Sequence, residues 1–228
     1  MELIGDVEPF PVESRIRGVR FEIATPLMNE ELHRFMLEHF RVEEPITRSV
    51  GSTKEDVFDF FIDLRDAGLR GPYSIAVFNE ETHELIGCCL NEVCDIPDHP
   101  ECGPSGDIYK RENANKILNF IETVEEELHD LVDSKRMLKI GVICIHPKYG
   151  RRGIGRRLIE ESLDMARDEN CDHAAAVATA RASQGLFEKM GFQTLREVPY
   201  ATYSPKGEVI FKVLHDGVQS GKLMVKEL

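Results

Sequence analysis

Residues 146–163 read HPKYGRRGIGRRLIEESL, with three glycines and four arginines at the junction between an apolar run and a helix-like run. A helix start leaves backbone N–H groups unpaired and carries the positive end of the helix dipole, so it favours a phosphate. Gly153 and Gly155 let the backbone approach an anion without a Cβ, while Arg151, Arg152, Arg156 and Arg157 supply charge. Two familiar phosphate loops are excluded by spacing. G-x-x-x-x-G-K-[ST] is absent, and G-R-R-G-I-G is not the dinucleotide order G-x-G-x-x-G. Taken alone, the turn also fits an ordinary strand-to-helix connection with a solvated basic face. The strand, proline, turn and helix in succession favour the anion.

Other reactive residue types form no such pattern. The cysteines Cys88, Cys89, Cys94, Cys102, Cys144 and Cys171 include no C-x-x-C pair, and the eight histidines show no metal-ligand spacing, so no metal site is expected. Phe40, Phe58, Phe61 and Tyr73 are candidates for an aromatic pocket, although at helical spacing such residues equally build core.

The elements that must position this chemistry follow from periodicity. VRFEIA (19–24) alternates as a strand, and Asn29 is placed to cap a helix carrying Leu32, Phe35, Met36 and Phe40. After a loop, RVEEPITRSVG, the segment STKEDVFDFFIDLRDAG reads as a helix with a capping box from Ser52 and Glu55, closed by Gly68. SIAVFN and ELIGCCLN read as an antiparallel pair, and DIPDHPECGPSGD as a surface loop. Apolar residues from Arg111 to Ser134 recur at three and four, predicting one long amphipathic helix. MLKIGVICIHP is a central buried strand, DHAAAVAT another, and SQGLFEKMGF a short helix. TLREVPYATY and EVIFKVL are expected to form a hairpin across SPKG. The class is α+β with a mixed sheet.

With those elements in place, IGVICIHPKYGRRGIGRRLIEESLDMA resembles the acyl-CoA-binding motif of the GNAT acetyltransferase superfamily. ARASQGLFEKMGF is similar to the helix and Gly-Phe that follow it. Within the superfamily, FRVEEPITRSVG and the closing YATYSPKGEVIF and MVKEL look like the insect-type arylalkylamine (dopamine) N-acetyltransferases, the likeness running from about Val19 to the C-terminus.

The resemblance implies a GNAT fold: a mixed, mostly antiparallel central sheet flanked by helices, with acyl-CoA held between the two central strands. Backbone groups of Ile143, Cys144 and Ile145 would pair with the pantetheine arm, and the N–H groups of Arg151, Arg152, Gly153, Ile154, Gly155 and Arg156 would hold the pyrophosphate. It assigns Glu44 as general base for the amine and Ser183 as donor to the departing thiolate, with Tyr203 a weaker alternative. An ammonium ion with a pKa near ~10 cannot attack a thioester until a base removes a proton. Two positions depart from the family pattern. Gly150 stands where Gln or Arg is usual, and Phe187 stands where many members place a tyrosine.

The implied activity is transfer of an acetyl or longer acyl group from coenzyme A to an arylalkylamine such as dopamine, tyramine, octopamine or serotonin, by direct attack in a ternary complex. A polyamine acetyltransferase and a non-catalytic acyl-CoA-binding module are the alternatives. The formal charge of −13 agrees with a cationic acceptor and argues against nucleic acid or anionic membrane as partner. No eighteen-residue apolar run and no signal-peptide pattern is present, so a cytoplasmic location is expected. Residues 1–18 are expected to be a flexible arm preceding one acyltransferase domain, 19–228.

Overall fold

The computed structural model describes residues 16–95, 106–126, 128–205 and 207–228. One sheet collects seven strands: β1 (Val19–Ile23), β2 (Ile75–Asn79), β3 (Leu85–Asp95), β4 (Arg136–Ile145), β5 (His173–Ala178), β6 (Gln193–Pro199) and β7 (Ser220–Glu227). Their order is β1-β2-β3-β4-β5-β7-β6, and every neighbouring pair is antiparallel except β4 with β5. The parallel pairing is brief, from Met137 opposite His173 to Lys139 opposite Ala175, after which the two strands part. A bulge lies where they separate. Leu90 of β3 faces Val142 and Asn91 faces Ile140, leaving Gly141 as the extra residue. Such a residue bends its strand.

Alternation along the strands builds two cores, one on each face. Cys88, Leu90, Val142 and Cys144 face α1 (Asn29–Phe35), α4 (Lys54–Gly68) and α5 (Glu112–Glu125), packing with Leu32, Phe35, Phe61, Ile117 and Phe120. Cys89, Leu138, Ala174 and Ala176 face α7 (Ile154–Asp168) and α8 (Arg181–Lys189), meeting Leu158, Ile159, Leu163 and Phe187. Between α1 and α4 the chain makes a π-turn, Met36–Phe40, then the short helices α2 (Arg41–Glu43) and α3 (Pro45–Ser49).

Several expectations change. RVEEPITRSVG is a pair of helical turns rather than a loop, because Pro45 occupies a first helical position, where its missing N–H costs nothing. The capping box on α4 lies one residue later than predicted: Thr53 Oγ1 accepts from Asp56 N–H at 3.2 Å and Asp56 Oδ2 from Thr53 N–H at 2.9 Å. Asn29 begins α1 from inside the helix, its Oδ1 accepting from Glu30 N–H. The long helix from Arg111 breaks after Glu125, and α6 (Leu128–Leu131) follows.

The expected hairpin is wrong. EVIFKVL forms no strand; Ile210 and Phe211 pack with Tyr200 and Tyr203 on Phe120 of α5, and β7 takes the place beside β6. A side-chain cluster thus outcompetes a ladder that local alternation alone favours. Residues 1–15 of the predicted arm and most of the loop DIPDHPECGPSGD, with Cys102, lie outside the described residues.

Candidate active site

Where β4 and β5 part, a cleft of about 590 Å³ opens, walled by Ile140, Gly141, Ile143 and Ile145 on one side and Ala176, Val177 and Thr179 on the other. The bond from His146 N–H to Ile86 O, 2.8 Å, fixes the phase of the β3–β4 ladder. Cys144, two residues back and opposite Cys88, therefore turns its N–H and C=O toward β3. Ile143 and Ile145 turn theirs toward the cleft. Of the three residues expected to offer backbone groups to a pantetheine arm, the register leaves two and removes Cys144. Cys144 is among the residues lining the cleft, and burial raises its thiol pKa well above the ordinary value, which disfavours the thiolate at neutral pH.

The glycine turn follows at the outer end of β4. Arg151 (φ +61) and Gly153 (φ +88) both sit in the left-handed region, and Gly153 is the N-cap of α7. The first N–H of this helix with a partner is Arg157, donating to Gly153 O at 3.0 Å. Those of Ile154, Gly155 and Arg156 have none among the described residues, the arrangement that favours an anion at a helix start.

Gly155 has a second reason: a Cβ there would stand 3.1 Å from Ile145 Cδ1 and 3.3 Å from Leu186 Cδ2. The guanidinium groups contribute less than their number implies. Arg152 donates to Arg17 O (2.7 Å) and lies over the Tyr149 ring, Arg156 pairs with Glu160 (2.8 Å), and Arg157 with buried Glu161.

Glu44 sits at the opposite end of the cleft, at the N-cap of α3 and only 7% exposed. Its carboxylate accepts from Ile46 N–H (3.1 Å), Thr47 N–H (2.7 Å) and the Thr179 hydroxyl (2.7 Å). Burial raises its pKa and outweighs the hydrogen bonds, which pull the other way. Thr179 was not legible as a site residue; it follows β5 by one position and meets Glu44 only because the cleft brings together residues 135 apart in sequence. Tyr200, buried beneath, donates its hydroxyl to Thr179 O at 2.8 Å.

Ser183 lines the same cleft, at the third position of α8 rather than at its cap, and its Oγ donates to Ala180 O at 2.9 Å. Phe187, one turn further, is buried against Phe192 and offers no proton. Tyr203 packs edge-on to Phe120 and is not among the residues lining the cleft.

A second cavity of about 320 Å³ shares Phe40, Glu44, Gly141, Val177 and Thr179 with the first, so Glu44 stands on the seam between them. Its walls include Phe60, Leu64, Ile117 and Ile121, together with Glu92, Glu122, Glu125 and Lys139. Of the four aromatic candidates only Phe40 lines it. Phe61 is core, Phe58 is 45% exposed against His33, and Tyr73 lies on the opposite face of the sheet. Among the described residues, no group of three or more His, Cys, Asp or Glu is arranged for a metal ion, and no helix is long and apolar enough to cross a membrane.

The acetyltransferase (GNAT) family model matches residues 33–192. Arylalkylamine N-acetyltransferase 2 from Aedes aegypti is a similar solved structure, with TM-score 0.78 and 21% identity over 92% of this chain and 98% of that one. A mosquito arylalkylamine N-acetyltransferase like 5b gives 0.80 and 18%, over 92% and 100%. A Drosophila melanogaster polyamine N-acetyltransferase that forms N-acetylagmatine gives 0.78 and 17%, again over 92% and 100%. At these identities the likeness is one of fold.

Proposed function

The chain belongs to the acetyltransferase (GNAT) family, and from that premise we propose that it acetylates the primary amine of a small arylalkylamine from acetyl-CoA, with Glu44 as base. The observation that carries this reading is the placement of Glu44: a buried carboxylate with a raised pKa on the seam between two cavities. One cavity has a strand edge and leads toward a helix N-terminus suited to a diphosphate. The other has aromatic and aliphatic walls suited to a ring.

In this mechanism the cleft-facing backbone of Ile143 and Ile145 holds the pantetheine arm, and the N–H groups of Ile154, Gly155 and Arg156 hold the diphosphate. Arg151 and Arg152 shape that loop. Glu44 takes the proton from the ammonium ion, and the freed amine attacks the thioester carbon directly. A β4 N–H on the cleft side stabilises the oxyanion of the tetrahedral intermediate. Ser183, rotated away from Ala180 O, donates a hydrogen bond to the thiolate as the C–S bond breaks. The second proton, shed by the attacking nitrogen as it becomes an amide, goes to that thiolate through the Ser183 hydroxyl, so that the serine ends as it began.

A second reading, an aliphatic diamine or polyamine acceptor, is favoured by the carboxylates Glu92, Glu122 and Glu125 in the lining of the amine cavity, of which Glu92 pairs with Arg70 and Glu125 with Lys139. Release of free thiol from acetyl-CoA, measured in parallel with tyramine, dopamine, serotonin, spermidine and agmatine, separates the two. Turnover led by the aromatic amines supports the first. Turnover led by spermidine or agmatine transfers the proposal to the second, and silence with every amine removes both.

A further inference from the structure

Helix α8 begins without a cap of its own: Ala180 stands at the N-cap and has no side chain able to accept a hydrogen bond. The acceptor comes from a loop 35 residues further along the chain. Asp216 Oδ2 accepts from Arg181 N–H at 2.8 Å, and Oδ1 accepts from Val218 N–H at 3.1 Å. One carboxylate thereby closes its own turn and the first turn of the helix. The turn is a tight one, with Gly217 at φ +72 and its N–H donating to Leu214 O.

The junction it grips is where the proposed chemistry is assembled. Thr179 donates its hydroxyl to Glu44 and accepts from Tyr200 at its carbonyl, while Ala180 O accepts from Ser183 Oγ. Gln184 Nε2 ties the inner side of the helix to Ala178 O and Ser220 O. Asp216 holds its outer end, and Arg181, Ser183, His215 and Asp216 line the cleft together.

We propose that Asp216 is a positioning residue for acyl transfer: by capping α8 from the C-terminal loop it fixes Ser183 and Thr179 against the cleft. This rests on the reading of Glu44 and Ser183 given above. The carboxylate also suits the positive end of the helix dipole, which adds to the hold. Loss of the cap frees the first turn of α8, and displacements of about 1 Å at reacting groups cost up to about a hundredfold in rate. The coenzyme seat on α7 has its own N-cap, Gly153, and Asp216 makes no hydrogen bond to it among the described residues.

The test compares Asp216→Ala with the double variant Asp216→Ala, Ala180→Ser, which returns an acceptor to the N-cap in cis. The expected result for the single variant is a kcat lowered by about tenfold or more. Its KM for acetyl-CoA stays close to that of the unaltered protein, and hydrogen exchange quickens at the Arg181 and Ala182 amides. Adding Ala180→Ser restores most of kcat. An Asp216→Ala protein as active as the unaltered one overturns the inference. So does a parallel loss of melting temperature and acetyl-CoA affinity that Ala180→Ser leaves unrepaired, because Asp216 would then serve the fold as a whole. Failure of the unaltered protein to acetylate any amine sinks the acceptor reading instead.

Discussion

Three hydrogen-bond donors on one carboxylate ordinarily make it a stronger acid, yet at Glu44 burial prevails and the pKa rises. The base form is therefore gained at a pH above the ordinary carboxylate range. The acidic limb of kcat/KM against pH should report it. Glu44→Gln is expected to lower kcat by about a hundredfold or more and to abolish that limb, with acetyl-CoA affinity nearly unchanged by calorimetry. An unaltered rate would remove Glu44 from the mechanism. Thr179→Val deletes a donor that favours the ionised carboxylate, so the same limb should move to higher pH, while a limb that stays in place would leave Thr179 without influence on Glu44. The glutamate is identified from sequence only through its E-P context in a family resemblance. Nothing local announces its burial, because the groups that meet it include Thr179, just after β5, and Tyr200 lies near enough to feel its charge.

Two helix-level features make predictions of their own. Gly153 caps α7 at φ +88, where a β-branched side chain is strongly disfavoured. Gly153→Val is expected to lower acetyl-CoA affinity by more than about tenfold by turning the following N–H groups out of alignment. Normal affinity in calorimetry would undo the diphosphate assignment. At the α1–α4 interface, His33 is buried edge-on to Phe58, with neither ring nitrogen partnered among the described residues. Its pKa is lowered, first by burial and then by Arg65. A histidine with a depressed folded pKa contributes fully above its unfolded value near 6.5, and the contribution is lost as pH falls below that value. Denaturation midpoints at pH 7.5 and 5.5 should therefore differ, and His33→Phe should narrow the gap; an unchanged gap would place the proton uptake elsewhere. The glycine turn, the flanking strand and α7 were all legible because periodicity and helix-start chemistry are local. The use made of the arginines was so only in part. Arg152 is occupied by Arg17 O, a partner 135 residues away that only the fold supplies, while Arg156 and Arg157 pair one turn along α7 with Glu160 and Glu161, a spacing the sequence already holds.

At the scale of the molecule, the net charge of −13 sets up a field that draws in cations and opposes anions. For a cationic amine, kcat/KM should fall as ionic strength rises through the range where the Debye length shrinks below about 10 Å. The KM for acetyl-CoA, itself an anion, should not rise in parallel; equal responses would show that the field does not discriminate.

Composition, periodicity and one well-spaced motif were enough to establish the α+β class, the order of the strands and longer helices up to β6, and the glycine turn that opens α7. Those properties depend on residues close together in the chain, whose spacing maps directly onto a strand edge or a helix start. The tertiary structure alone decided that β7, not EVIFKVL, pairs with β6 and that Cys144 spends its backbone on β3. It also placed Thr179 on Glu44 and Asp216 on the first turn of α8. Each of these follows from competition between distant segments for the same ladder, pocket or cap, and a competition of that kind is settled only when all of the segments are packed at once.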